Sequence, residues 1–110
     1  ALAQEPKLLL LDEPTAHLDI GHQIKIMNLI KKLNEKDGLT VLVVLHDLNL
    51  ASQYCEELIL LNEGKIIRQG VANEVLNYRD IEIVYKTTVL IKENPLNKRP
   101  FVILFSPKDE

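Results

Sequence analysis

The chain has 110 residues, 46% of them hydrophobic and 26% charged, an ordinary globular composition with room for one modest domain. A net charge of -3 without any dense Lys/Arg block argues against a nucleic-acid partner, and the longest apolar runs, Val41 to Leu45 and Phe101 to Phe105, are far too short to cross a bilayer, so the chain reads as soluble. Its one cysteine, Cys55, excludes an internal disulfide, fits a reducing compartment and lacks the companions of a structural zinc site; it reads as core filler.

Ala1 to Glu5 consists of helix formers with no N-cap and is stopped by Pro6, as in the last turns of a helix that begins earlier. The chain is therefore expected to be a fragment. Leu8 to Leu11 then form an unbroken leucine run that ends in Asp12, Glu13 and Pro14. Such a run reads as a fully buried strand delivering carboxylates at its C-terminal end, where open α/β sheets place their ligands. Ile20, Ile24, Met27, Ile30 and Leu33 recur at helical spacing and predict an amphipathic helix over residues 21–35, with Asp19 as its N-cap and Gly38 beyond its end.

Thr40 to Leu45 is a second apolar run, rich in β-branched residues, that leads into His46 and Asp47. Strand, helix and strand in this order make a βαβ unit with parallel strands. That pairing brings Asp12, Glu13 and His46 to one edge of the sheet. A short helix is expected over residues 48–55 with Asp47 as cap. Residues 58–61 and 65–68 predict a hairpin that turns at Gly64, followed by short helices over 72–76 and 80–85. A second hairpin is expected from residues 89–92 and 101–105. The composition shifts near Gly70, which is the expected domain boundary.

Taken together, Asp12-Glu13-Pro14-Thr15, Leu18-Asp19 and His46-Asp47 resemble the C-terminal part of the ATP-binding subunit of an ABC transporter. Leu8 to Asp12 is similar to the Walker B strand, Glu13 to the catalytic glutamate, Ala16 to Asp19 to the D-loop, and His46 to the switch histidine. The likeness extends over essentially all 110 residues, with Asp19 seven and His46 thirty-four positions after Asp12. Family members often carry serine where Ala16 stands, which puts that one loop contact in doubt. The resemblance implies an α/β fold: part of a P-loop NTPase parallel sheet with flanking helices over residues 1–70, lacking the phosphate-loop strand, and a small α+β appendage over 71–110.

The residue types suit the implied chemistry. Transfer of a γ-phosphate to water needs magnesium held by hard oxygen ligands, often through water, and Asp12 fits that metal- and cofactor-binding role. Glu13, one residue further on, fits the general base that takes a proton from the attacking water. A neutral imidazole at the tip of the next strand can hydrogen-bond to the γ-phosphate and report its presence, which makes His46 the second catalytic candidate. By resemblance Asp19 lies at the interface of two ATPase subunits and contributes to cofactor binding; as a residue it is also a helix cap. His17 and His22 flank Asp19 and read as exposed histidines rather than metal ligands.

No G-x-x-x-x-G-K-[ST] occurs in the sequence, and the glutamine loop and the serine-glycine-glycine signature are absent as well. The chain alone is thus expected neither to bind ATP tightly nor to hydrolyse it. In the family's sheet the phosphate-loop strand lies between Thr40–Leu45 and Leu58–Leu61. A buried strand edge is costly to leave unpaired, so Leu58–Leu61 is expected to close the gap, or another chain to supply a strand. His46 to Ala51, with Pro95, Pro100 and Pro107, is similar to importers of iron siderophores, haem or cobalamin. The implied protein is a transport ATPase using ATP and Mg2+, paired with a second ATPase subunit, bound to a membrane permease and peripheral on the cytoplasmic face of the membrane. The rival reading is a non-catalytic module that docks on a permease or a partner ATPase; a DNA-repair or translation ATPase would want a basic surface that is missing here.

Overall fold

The computed structural model of the protein describes residues 7–104, so the helix end expected at Ala1 to Glu5 lies outside the described residues. The chain packs as two compact units, divided between Asp47 and Leu48. The first contains strand β1 (Leu8–Asp12), helix α1 (Ile20–Asp37) and strand β2 (Thr40–Val44). The strands pair in parallel, from Leu8 opposite Thr40 to Asp12 opposite Val44, as a βαβ connection requires.

Both ends of α1 are set by the residues that flank the apolar stripe. The Asp19 carboxylate accepts the His22 backbone N–H at 2.9 Å, satisfying one of the orphan donors of the first turn. At the other end Gly38 takes a left-handed φ of 63° and its N–H bonds to the Leu33 carbonyl, a conformation that glycine adopts without a Cβ penalty. The helix buries Met27 and Ile30 and packs against β2.

The strands are less buried than a leucine run predicts. Leu9, Leu11, Val41 and Val43 are half-buried, whereas Leu8 is 66% and Leu10 63% exposed, and Leu42 and Val44 are exposed beside them. The side-chain period of two places these four on one face, and no second layer covers that face among the described residues. The expected closure of the sheet by Leu58–Leu61 does not occur. Among the described residues β2 pairs only with β1, and residues 58–62 pair with a different strand.

The second unit comprises α2 (Leu48–Tyr54), β3 (Leu58–Asn62), β4 (Lys65–Gly70), α3 (Ala72–Val75), α4 (Tyr78–Tyr85), β5 (Val89–Glu93) and β6 (Pro100–Leu104). Two antiparallel hairpins, β3–β4 and β5–β6, share one core of Leu58, Leu60, Val75, Leu76, Ile81, Val89 and Val102. β3 pairs with β4 through the tight turn at Glu63 and Gly64, as the hairpin over residues 58–61 and 65–68 predicts. Gly70, the boundary expected from composition, falls inside this unit because α3 and α4 pack on the hairpins on either side of it. Polar side chains pin α2 to β6: the Asn49 amide donates to the Val102 carbonyl at 3.0 Å and accepts its N–H at 2.7 Å. The Arg99 guanidinium donates to the carbonyls of Ser52 and Cys55 at the end of α2, where a cation complements the helix dipole.

Asp80 is 5% exposed, and its carboxylate accepts hydrogen bonds from the Asn77 amide at 2.7 Å and from Arg68 Nε at 2.9 Å. The Asn77 amide first, and then the Arg68 guanidinium, hold its carboxyl below the ordinary value. Because the folded state binds this proton less readily than the unfolded chain, the stabilisation is complete above about pH 4 and is lost as pH falls through the folded pKa. The urea midpoint of the chain should therefore drop as pH falls below about 4, and Asp80→Asn should flatten that drop while lowering the plateau.

Candidate functional site

The site grows from the end of β1, within the first unit. Asp12 closes the strand opposite Val44 and is exposed. The Glu13 N–H still bonds to the Val44 carbonyl at 2.9 Å, but its φ of 48° leaves the strand conformation. A left-handed φ costs a non-glycine residue about 1–2 kcal/mol, so it persists only where the surroundings hold it. Here the chain turns twice in quick succession. The Ala16 N–H donates to the Glu13 carbonyl at 3.1 Å, and the Leu18 N–H to the Thr15 carbonyl at 3.3 Å. His17, between them, takes a φ of 66°, and Asp19 then caps α1.

These turns place Glu13 against the end of β2. Two residues beyond Val44, His46 Nε2 lies 3.0 Å from Glu13 Oε1. The pair joins positions far apart in sequence, and both remain open to solvent, the His46 side chain 79% and the Glu13 side chain 39% exposed. A cleft beside the pair is lined by Glu13, Thr15, His17, Gln23, His46 and Asp47. The Thr15 side chain is buried under the turn, and the Gln23 amide Nε2 donates to the Thr15 carbonyl at 3.4 Å.

The sequence-predicted residues divide accordingly. Glu13 and His46 meet. Asp12 sits one residue before them on β1 and does not line the cleft. Asp19 is occupied at the helix start: besides capping, its Oδ1 lies 2.8 Å from His22 Nδ1. The His22 backbone N–H, and next to it the His22 ring, hold the Asp19 carboxyl below the ordinary carboxylate range. His22 thus engages Asp19, and among the described residues no group of three or more His, Cys, Asp or Glu is arranged to hold a metal ion. Cys55, half-buried, has its thiol pushed up by burial, which leaves it a poor nucleophile.

Sequence reasoning missed Thr15, Gln23 and the tie between His22 and Asp19. Two of these left a trace. His22 occupies the position three after the cap, where a side chain can reach back to it. Gln23 stands four before Met27 and seven before Ile30, a polar residue on the inward stripe of α1.

A parallel strand pair with acids at the end of one strand and a histidine beyond the next is the arrangement that the resemblance to ABC-transporter ATP-binding subunits implies. An inward-facing metal-chelate-type ABC transporter matches the fold with a TM-score of 0.79 at 22% identity, covering 90% of this chain and 41% of that one. A Clostridium perfringens component of an ABC transporter complex matches with a TM-score of 0.60 at 33% identity over 71% of this chain and 33% of that one. A dimeric ATP-binding cassette in a post-hydrolysis state, bound to ADP and Pi, matches with a TM-score of 0.55 at 47% identity over 58% of this chain and 27% of that one. By sequence the chain is a homologue of ABC-transporter ATP-binding subunits, and the relatives it matches include proteins named for siderophore and iron(3+)-hydroxamate transport. It is 45% identical over 102 residues to the ferric enterobactin transport ATP-binding protein of Escherichia coli, covering 93% of the chain and 38% of that protein. It is 44% identical over 107 residues to a petrobactin import ATP-binding protein of Bacillus anthracis, covering 97% of the chain and 38% of that protein. The iron(3+)-hydroxamate import ATP-binding protein of Bacillus subtilis is 39% identical over 105 residues, with 96% of the chain and 39% of that protein covered. The chain thus spans about two fifths of the length of the curated relatives it matches. No family model matches it.

Proposed function

We propose that this chain carries the water-activating and phosphate-sensing half of the ATP site in a transport ATPase subunit that energises a metal-chelate importer. In this reading two such subunits pair on the cytoplasmic face of a membrane permease. The observation that carries it is the 3.0 Å contact between Glu13 and His46 in a chain whose relatives are named as transport ATP-binding proteins. Support for the pairing comes from the similar cassette described as dimeric.

Asp12 presents an exposed carboxylate at a strand end, a hard oxygen donor of the kind magnesium accepts; a single carboxylate suits an ion that fills its other positions with water and phosphate oxygens. Magnesium would supply neutralisation of the phosphate charge. Glu13 does the proton chemistry. With Oε1 engaged by His46, its other carboxylate oxygen is the one left to accept a proton from water. His46, exposed and reaching past β2, can exchange its bond to Glu13 for one to a phosphate oxygen. Asp19 caps α1 beside the site and, exposed at the surface, is the residue proposed to meet the second subunit. The cradle for the phosphates is not among these 110 residues, since no phosphate-loop pattern occurs in them.

The test is ATP binding and turnover by the gene product that carries this sequence, with and without His46→Ala. Turnover should fall by about 10²-fold or more while nucleotide affinity changes little. Turnover within a few-fold of the parent would remove His46 from the site. The same titration on the 110-residue chain alone should show no tight nucleotide binding.

A further inference from the structure

We infer that Gln23 is a positioning residue for the Glu13 carboxylate, acting through the carbonyl of Thr15. The inference rests on the reading of Glu13 as the general base. Glu13 sits in a left-handed conformation that glutamate does not favour, so the turn following it has to be held from outside. Within the turn, two backbone hydrogen bonds are available, from Ala16 to the Glu13 carbonyl and from Leu18 to the Thr15 carbonyl. Both are local; the Glu13 N–H anchors the start of the turn on the Val44 carbonyl of β2, but neither local bond reaches from the turn into the body of α1.

Gln23 does. Its backbone lies in the first turns of α1, where its own N–H bonds to the Asp19 carbonyl at 2.9 Å. From that fixed point its amide reaches back eight residues to donate a second hydrogen bond to the Thr15 carbonyl, at 3.4 Å. Thr15 is 5% exposed, so the clamp acts on a segment with little room to shift. Gln23 also lines the cleft beside Glu13 and His46, which places the clamp against the space where water would be activated. A polar residue on the inward stripe of a helix gives up apolar burial, and this contact is what the position gains in return.

The experiment compares Gln23→Met and Gln23→Lys in the gene product that carries this sequence. Methionine keeps the length and loses the donor; lysine keeps a donor able to reach the same carbonyl. Gln23→Met should lower kcat for ATP hydrolysis about fivefold with KM for ATP unchanged, and Gln23→Lys should restore most of kcat. Unchanged kcat in Gln23→Met, no rescue by lysine, or a loss that tracks a lower melting temperature in both variants would overturn the inference. Glu13→Gln run alongside separates the two ideas: if it keeps normal turnover, the reading of Glu13 itself is wrong; if it is inactive while Gln23→Met is normal, only the clamp is.

Discussion

Glu13→Gln should reduce ATP turnover by about 10²-fold or more in the gene product that carries this sequence, while nucleotide affinity stays close to that of the parent. Glutamine matches glutamate in size, and its amide oxygen can still accept the His46 Nε2–H that Glu13 Oε1 now holds at 3.0 Å. The left-handed turn and the cleft wall should therefore survive the change. What disappears is the ability of the side chain to take up a proton, so a loss confined to turnover identifies proton transfer as the missing step. Phosphate release under single-turnover conditions, paired with a nucleotide-binding titration, reads both quantities. Turnover within a few-fold of the parent would mean that another group activates the water.

That prediction comes from residues whose chemistry and shared sheet edge are legible in the sequence but whose direct contact is not. The βαβ unit was legible because its periodicities change cleanly, from a leucine run to a stripe at helical spacing and back to a β-branched run. The caps at Asp19 and Gly38 were legible for the same reason: each residue type has a conformational preference that matches its position. The bend at Glu13 was not, since nothing in a glutamate signals a left-handed φ, and that bend turns its carboxylate toward His46. Gln23 was half visible, as a polar residue on an apolar stripe.

Burial is where the pattern misled. A run such as Leu8 to Leu11 states the environment a strand is suited to, buried on both faces, but not what lies within the same 110 residues to cover it. Leu8 and Leu10 are consequently exposed. The same distinction explains β3. Its hairpin with residues 65–68 is legible from the turn at Gly64, whereas its expected second pairing, with Thr40–Leu45, is absent among the described residues. Leu58 and Leu60 are 7% and 6% exposed within the core of the second unit, and β3 pairs with β4 across a tight turn at Glu63 and Gly64 that costs little loop entropy.

That core sets the largest expected stability effect. Ile81 on α4 is 0% exposed, in a cluster that draws residues from β3, α3, β5 and β6, so no single element can close the space it fills. Ile81→Ala should destabilise the second unit by about 3 kcal/mol, combining lost transfer energy with a cavity that only partly collapses, and Ile81→Val by about 1 kcal/mol. Ile83, two residues along the same helix but 59% exposed, provides the control, and its alanine variant should cost less than about 0.5 kcal/mol. Urea unfolding of the three variants orders them. Equal shifts for Ile81→Ala and Ile83→Ala would show that α4 does not present this face to the core, and the joint packing of the two hairpins on it would have to be abandoned.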